Sequence, residues 1–196
     1  MDGVRHRQRE QTHRRLLRES RRLFAERGYA AVGLTEIVAA AGMTKGALYH
    51  HFDSKGDLFR EVLREVQGEV AALVAATADA EDDPWDRLLA GCRAFLTAST
   101  APDVQRVMLV DGPAVLGWAE WRAMDEAASA RHLTDALTGL IELGTIAPRP
   151  VEPLAHLLSG AMNEAALWLA GSAHPGRDLD DAWAALARML EAFRVR

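Results

Sequence analysis

The chain has 196 residues, 49% of them hydrophobic, enough to bury one large or two small cores, and its formal net charge is −5. It holds no run of about twenty apolar residues, and its arginine-rich start leads into an amphipathic segment without an apolar signal region, which predicts a cytoplasmic protein with no membrane partner. A single cysteine, Cys92, excludes an internal disulfide framework and a cysteine-based zinc cluster, and its apolar neighbours predict a packed thiol. Charge is unevenly divided along the chain. Residues 1–64 carry 13 Lys and Arg against 8 Asp and Glu, a balance of +5, so the remainder carries 10 against 20, a balance of −10. A basic first third attracts phosphates, while an acidic remainder discourages non-specific adhesion.

In residues 5–27, Arg5, Arg7, Arg9, Arg14, Arg15, Arg18, Arg21 and Arg22 surround an inner stripe of Leu16, Ser20, Leu23 and Phe24, which predicts a helix stopped by Gly28. Arg5 to Arg9 read as a flexible arm that lies along a phosphate backbone or enters a minor groove. In the next stretch Ile37, Val38 and Ala41 recur at three- and four-residue spacing, and Gly42 supplies a left-handed stop. Gly33 stands near the start of that helix but brings no side-chain oxygen, leaving Thr35 to take over the cap or to contact a phosphate.

Thr44 caps a following short helix, and Leu48 and Phe52 point inward one turn apart. Its outer face offers Lys45, Gly46, Tyr49 and His50, which are a charge, a closely approachable backbone, a phenol and an imidazole, with no acid among them. Such a face suits a phosphate-lined groove, and helix, glycine-containing turn, helix is the arrangement that lays its second helix in the DNA major groove. The pair His50 and His51 does not make a metal site, since adjacent helical residues diverge by about 100° and no third ligand is near. No metal or cofactor is predicted.

Ser54 and Asp57 open a long helix in the manner of a capping box, with Leu58, Val62, Val66, Val70 and Leu73 spaced to bury one side. It crosses the change in composition and is the natural lever between the two halves. Prolines punctuate the rest of the chain, none inside an otherwise periodic stretch, and helices are predicted near 84–99, 103–111, 114–143, 151–172 and 179–194. No stretch alternates as a strand. The chain is therefore predicted to be all-α with about nine helices: a three-helix helix-turn-helix DNA-binding domain over 1–56 and a second helical domain over 57–196.

Phe95, Met108, Trp118, Trp121, Met124, Met162 and Trp168 are the large, adaptable or aromatic side chains that line a site for an apolar or aromatic small molecule, although core packing uses the same residues. Arg122, His132 and Asn163 are candidates for fixing a ligand's polar end. The segment 151–172 is apolar nearly all round, which requires burial on more than one side, and the last helix carries a stripe of Leu179, Trp183, Leu186, Leu190 and Phe193. Both faces serve an intrachain core or a subunit interface. The interface candidates are Leu158, Ala161, Ala165, Leu179, Trp183, Leu186 and Leu190.

The motif KGALYHHF followed by SK, within LLRESRRLFAERGYAAVGLTEIVAAAGMTKGALYHHFDSKGDLFREVL, resembles the TetR (tetracycline-repressor-like) family of bacterial transcription regulators over roughly residues 10 to 64. The resemblance implies that Thr44, Lys45, Gly46, Ala47, Tyr49, His50, His51 and Lys55 line a double-stranded DNA surface. Tyr49 and Lys55 suit phosphates, Lys45 and His50 suit base edges, and Ala47, where many relatives have a hydroxyl, suits a thymine methyl. The resemblance also implies that residues 57–196 are an effector-binding and dimerisation domain, with a homodimer whose last two helices pair across a two-fold axis, matching a palindromic operator, and a repressor released by a small effector. An activator, or a dimer controlled by a protein partner, uses the same DNA contacts. An enzyme is disfavoured, since GxSxG, phosphate-loop and HExxH patterns are missing.

Overall fold

The computed structural model describes residues 2–195, with side chains from His6 onward. Among these residues nine helices succeed one another: α1 (Asp2–Arg27), α2 (Leu34–Ala40), α3 (Lys45–Tyr49), α4 (Lys55–Asp79), α5 (Pro84–Ser99), α6 (residues 102–116), α7 (residues 118–142), α8 (Val151–Ala170) and α9 (Pro175–Glu191). Among the described residues there is no strand, only an isolated bridge between Ile146 and Arg194, and no helix is long and apolar enough to cross a membrane.

Leu16, Leu17, Ser20, Leu23 and Phe24 bury the inner face of α1, and Gly28, at φ 82°, stops it by donating its N–H to the Phe24 carbonyl at 2.7 Å. The expected arm is instead helical: α1 runs unbroken from Asp2, because Arg, Gln and Glu favour helix and no proline interrupts them. Arg7 and Arg9 ride on this extension, while the Arg5 side chain lies outside the described residues. The first half of α4 packs under α1, with Phe59 edge-on to Phe24 at 5.5 Å, and its second half packs on α5. The buried stripe of α4 steps by four residues through Val62, Val66, Val70 and Val74, so Leu73, expected inside, turns outward.

Pro113 lies inside α6 rather than at a break, and the chain turns at Gly117, φ 80°. The reason is a wide π turn over Arg106–Asp111, in which the Gly112 N–H reaches back to the Val107 carbonyl and the proline ring is accommodated. In α7 a second wide turn, Glu126–Ala130, contains a kink at Ala128 (φ −104°, ψ −106°). The last helix starts four residues earlier than expected, with Pro175 in its first turn, where a missing N–H costs nothing.

α5 and α7 pack on the second half of α4, α8 packs on α5 and α7, and α9 closes against α8 and α5. This arrangement corrects part of the interface assignment: Leu158, Leu186 and Leu190 are buried within the chain's own core. A regular apolar stripe marks the face a helix buries, and here that burial is intramolecular. Ala161, Ala165, Leu179 and Trp183 are partly covered. The outward faces of α8 and α9 instead carry Leu157, 73% exposed, with Leu167, Trp168 and Met189.

Candidate DNA interface and internal cavity

The two short helices are set by backbone chemistry. Gly33 begins α2 in an extended conformation (φ −97°, ψ 152°), its carbonyl accepting from the Glu36 and Ile37 N–H groups, and no side chain caps the helix. Thr35 stands exposed and does not act as the cap. Gly42, at φ 62°, ends α2, and the Thr44 Oγ1 accepts the Ala47 N–H at 3.2 Å to begin α3. Leu48 and Phe52 anchor α3 in the core. Lys45, Gly46, Tyr49 and His50 are left on the outside, with Tyr49 53% exposed and Ala47 half-buried at the edge.

Two of the expected DNA-facing residues are placed differently. His51 turns back toward α1, its ring 5.6 Å from that of His13, which in turn stacks on Phe52 at 4.9 Å. Burial, followed by electrostatic repulsion from His13, Arg9 and His50, lowers the His51 pKa. Lys55 donates from Nζ to the Tyr29 carbonyl at 2.5 Å and lies 4.0 Å from the Tyr29 ring centroid. The Tyr29 N–H in turn donates to Asp111 of α6 at 2.8 Å. Lys55, Tyr29 and Asp111 therefore tie the helix-turn-helix to α6. Arg21 makes a second tie, reaching Glu69 at 2.6 Å and Asp103 at 3.2 Å, while Arg60 of α4 pairs with Glu120 of α7.

Between α4, α5, α7 and α8 lies a cavity of about 290 Å³ that opens to solvent past Asp79, Arg87 and Asp135. Of the residues expected to line it, Phe95, His132 and Met162 do. Met108 and Trp121 are core residues, joined by a hydrogen bond from the Trp121 Nε1–H to the Met108 carbonyl at 2.7 Å. Trp118 and Trp168 are exposed. Trp118, Trp121 and Asn163 border a separate outer groove between α6, α7 and α8, and Met124 borders a groove beside α4. These assignments fail because side-chain size says nothing about which helices meet.

At the cavity's polar end Arg122, a candidate from the sequence, meets Asp125 and Ser159, which the sequence did not single out for this role. Asp125, only 3% exposed, accepts from Arg122 Nη1 at 3.0 Å and from the Ser159 hydroxyl at 3.5 Å, and Arg122 Nη1 also donates to Ser159 Oγ at 3.0 Å. Burial raises the Asp125 pKa, opposed by Arg122, Asn163 and Ser159. Ser129, one turn after Asp125 and just past the kink, completes this end. Arg122 and Asp125, three residues apart on an otherwise apolar face, were the available signal. Cys92 is on the wall, its thiol pushed up to about 12 by burial. Among the described residues no group of three or more His, Cys, Asp or Glu is placed to hold a metal ion.

Residues 16–62 match the family profile described as bacterial regulatory proteins, tetR family, and residues 85–193 match that of the tetracyclin repressor-like C-terminal domain. A TetR-family transcriptional regulator from Pectobacterium atrosepticum, known as a crystal structure, is 34% identical with a TM-score of 0.79, covering 96% of this chain and 97% of that one. The AcrR regulator of Shigella flexneri is 43% identical over 53 residues and the KstR2 repressor of Rhodococcus jostii 55% identical over 42, matches covering 27% and 21% of this chain. They span only 25% and 21% of those two proteins. With a DNA-binding helix-turn-helix joined to a matching C-terminal half, the chain belongs to the TetR family of bacterial transcription regulators.

Proposed function

We propose that this regulator binds a palindromic operator as a homodimer and represses transcription until a small apolar or aromatic effector occupies the internal cavity. The observation that carries the reading is the outward face of α3, free of acids, capped by Thr44 and anchored by Leu48 and Phe52. On that face Tyr49 donates to a phosphate, Lys45 and His50 reach base edges, Gly46 lets the backbone approach and Ala47 meets a thymine methyl. Thr35 and Thr44 flank it for phosphate contact. His51 and Lys55 support the surface from behind through His13 and Tyr29.

Residues 1–56 form the DNA-binding unit and residues 57–196 the effector and dimer unit. Leu157, Leu167, Trp168 and Met189 supply the apolar patch for a second copy, since a two-fold dimer presents two α3 helices to successive major grooves roughly 34–36 Å apart. An effector between α4, α5, α7 and α8 favours a spacing that no longer matches, with α4 and the Tyr29–Asp111 tie carrying the change. Coupling is reciprocal, so operator weakens effector binding by the same factor.

The test is binding to the DNA upstream of the protein's own gene at two salt concentrations, beside Tyr49→Ala. Tight, palindrome-centred binding that weakens with salt and collapses in the variant supports the reading. Sequence-blind binding indifferent to the substitution overturns it.

A further inference from the structure

We infer that the internal cavity selects uncharged planar molecules bearing a hydrogen-bond donor, phenols being the class that fits, with Asp125 as the acceptor of that donor. The inference rests on the reading of the cavity as an effector site and adds what the site prefers.

Shape is the first argument. Ala75 and Ala78 of α4 and Gly91 of α5 make one wall from the smallest side chains, while Phe95 and Met162 fill in around them. A Cβ at Gly91 would lie 3.6 Å from Val74 Cγ1 and 3.7 Å from Ala78 Cβ, so α5 packs closely on α4 here and the joint wall is smooth. A wall of such small side chains lies flat against the face of a ring. At about 290 Å³ it holds about twice the ~150 Å³ of an apolar cavity that binds benzene, which corresponds to one or two fused rings.

Charge is the second. Among the described residues of this wall, Asp125 is the only carboxylate or cation more than nine-tenths buried. Arg122 and Ser159 both reach Oδ2 of its carboxylate, which leaves acceptor capacity for a further donor. Ser129, also buried, stands beside it with a hydroxyl for the same ligand atom. A ligand carboxylate would face Asp125 as a like charge in a desolvated site, and a ligand ammonium would compete with the Arg122 guanidinium that already neutralises it. A neutral hydroxyl meets neither penalty. It donates to Asp125 and accepts from Ser129.

Three probes of one ring size separate these alternatives: 2-naphthol, 2-methoxynaphthalene and 2-naphthoate, each titrated calorimetrically into the full-length protein. The expected result is 2-naphthol binding at least about tenfold tighter than either of the others, the difference set by one charge-assisted hydrogen bond. Asp125→Asn brings 2-naphthol and 2-naphthoate to within about threefold of each other by removing that charge. Ser129→Ala leaves the Arg122–Asp125 pair intact and weakens 2-naphthol alone, and Ala136→Leu fills the slot and weakens all three. Circular dichroism checks that each variant folds, and Ser129→Ala serves as the acceptor-end test if Asp125→Asn does not. Equal or tighter binding of 2-naphthoate, no binding of any probe, or binding indifferent to Ala136→Leu overturns the inference. Operator affinity is measured in parallel. If 2-naphthol binds with the expected selectivity and operator affinity stays unchanged, the ligand class stands and the effector-controlled repressor reading falls.

Discussion

Trp121 donates its indole N–H to the main-chain carbonyl of Met108, at 2.7 Å, and the reason lies in Pro113. In the wide turn of α6 the Val107 carbonyl is served by the Gly112 N–H, five residues on. The next donor in that series, at position 113, belongs to a proline and does not exist, so the indole takes its place. Trp121→Phe keeps an aromatic ring but loses the N–H and some volume, orphaning a buried carbonyl, which lowers stability in urea unfolding by at least about 1–3 kcal/mol. Adding Pro113→Ala supplies an N–H and recovers part of that loss, a coupling that a double-mutant cycle reads directly. Independent, additive effects would show that the indole does not stand in for the missing donor. Gly112→Ala tests the same packing, because its Cβ would sit 2.8 Å from Trp121 Cδ1. A cost of about 1–3 kcal/mol is expected from overpacking.

The position of Lys55 separates two roles for a cation. Its Nζ is engaged by the Tyr29 carbonyl and ring. Lys55→Met is expected to lower the melting temperature while leaving the salt dependence of operator binding unchanged. A slope reduced by about 0.9 would instead count the ammonium as a phosphate contact.

His51 makes stability depend on pH. Its pKa is lowered by burial and by His13, Arg9 and His50. The unfolded chain therefore takes up a proton before the native one does. The stability it contributes is full above the ordinary histidine pKa, about 6.5, and declines as pH falls through that value toward the lower native one. Unfolding followed between pH 7.5 and pH 5 should show this decline, and His51→Gln should flatten it. DNA phosphates near His50 oppose the depression, so the decline is expected to be smaller in the operator complex.

Cys92 is protonated and enclosed, its thiol pushed up to about 12. Native protein should react with a disulfide reagent only at the rate of local or global opening, and 2-naphthol should slow the reaction further because the sulfur lies on the cavity wall. Fast labelling at neutral pH would mean that the wall around Cys92 opens readily in the native protein.

The helix-turn-helix was legible in the residues because its determinants act over a turn or two. Gly28 and Gly42 stop helices by positive φ, Thr44 caps α3 three residues ahead, and Leu48 and Phe52 anchor it at i,i+4 spacing. None of these depends on a distant segment. The outward set Lys45, Tyr49 and His50 is determined once Leu48 is known to face in. The cavity was only partly legible, since an apolar stripe records that a face is buried and carries no information about which helix covers it. Leu158, Leu186 and Leu190 are covered by their own chain, whereas Leu157 and Met189, one position away from buried neighbours, are left outside. The same holds for Arg122, Asp125 and Ser159. They become one network because a kink at Ala128 and the packing of α7 on α8 bring residues 34 to 37 positions apart within hydrogen-bond reach, and a desolvated carboxylate there is tolerated only with those partners in place.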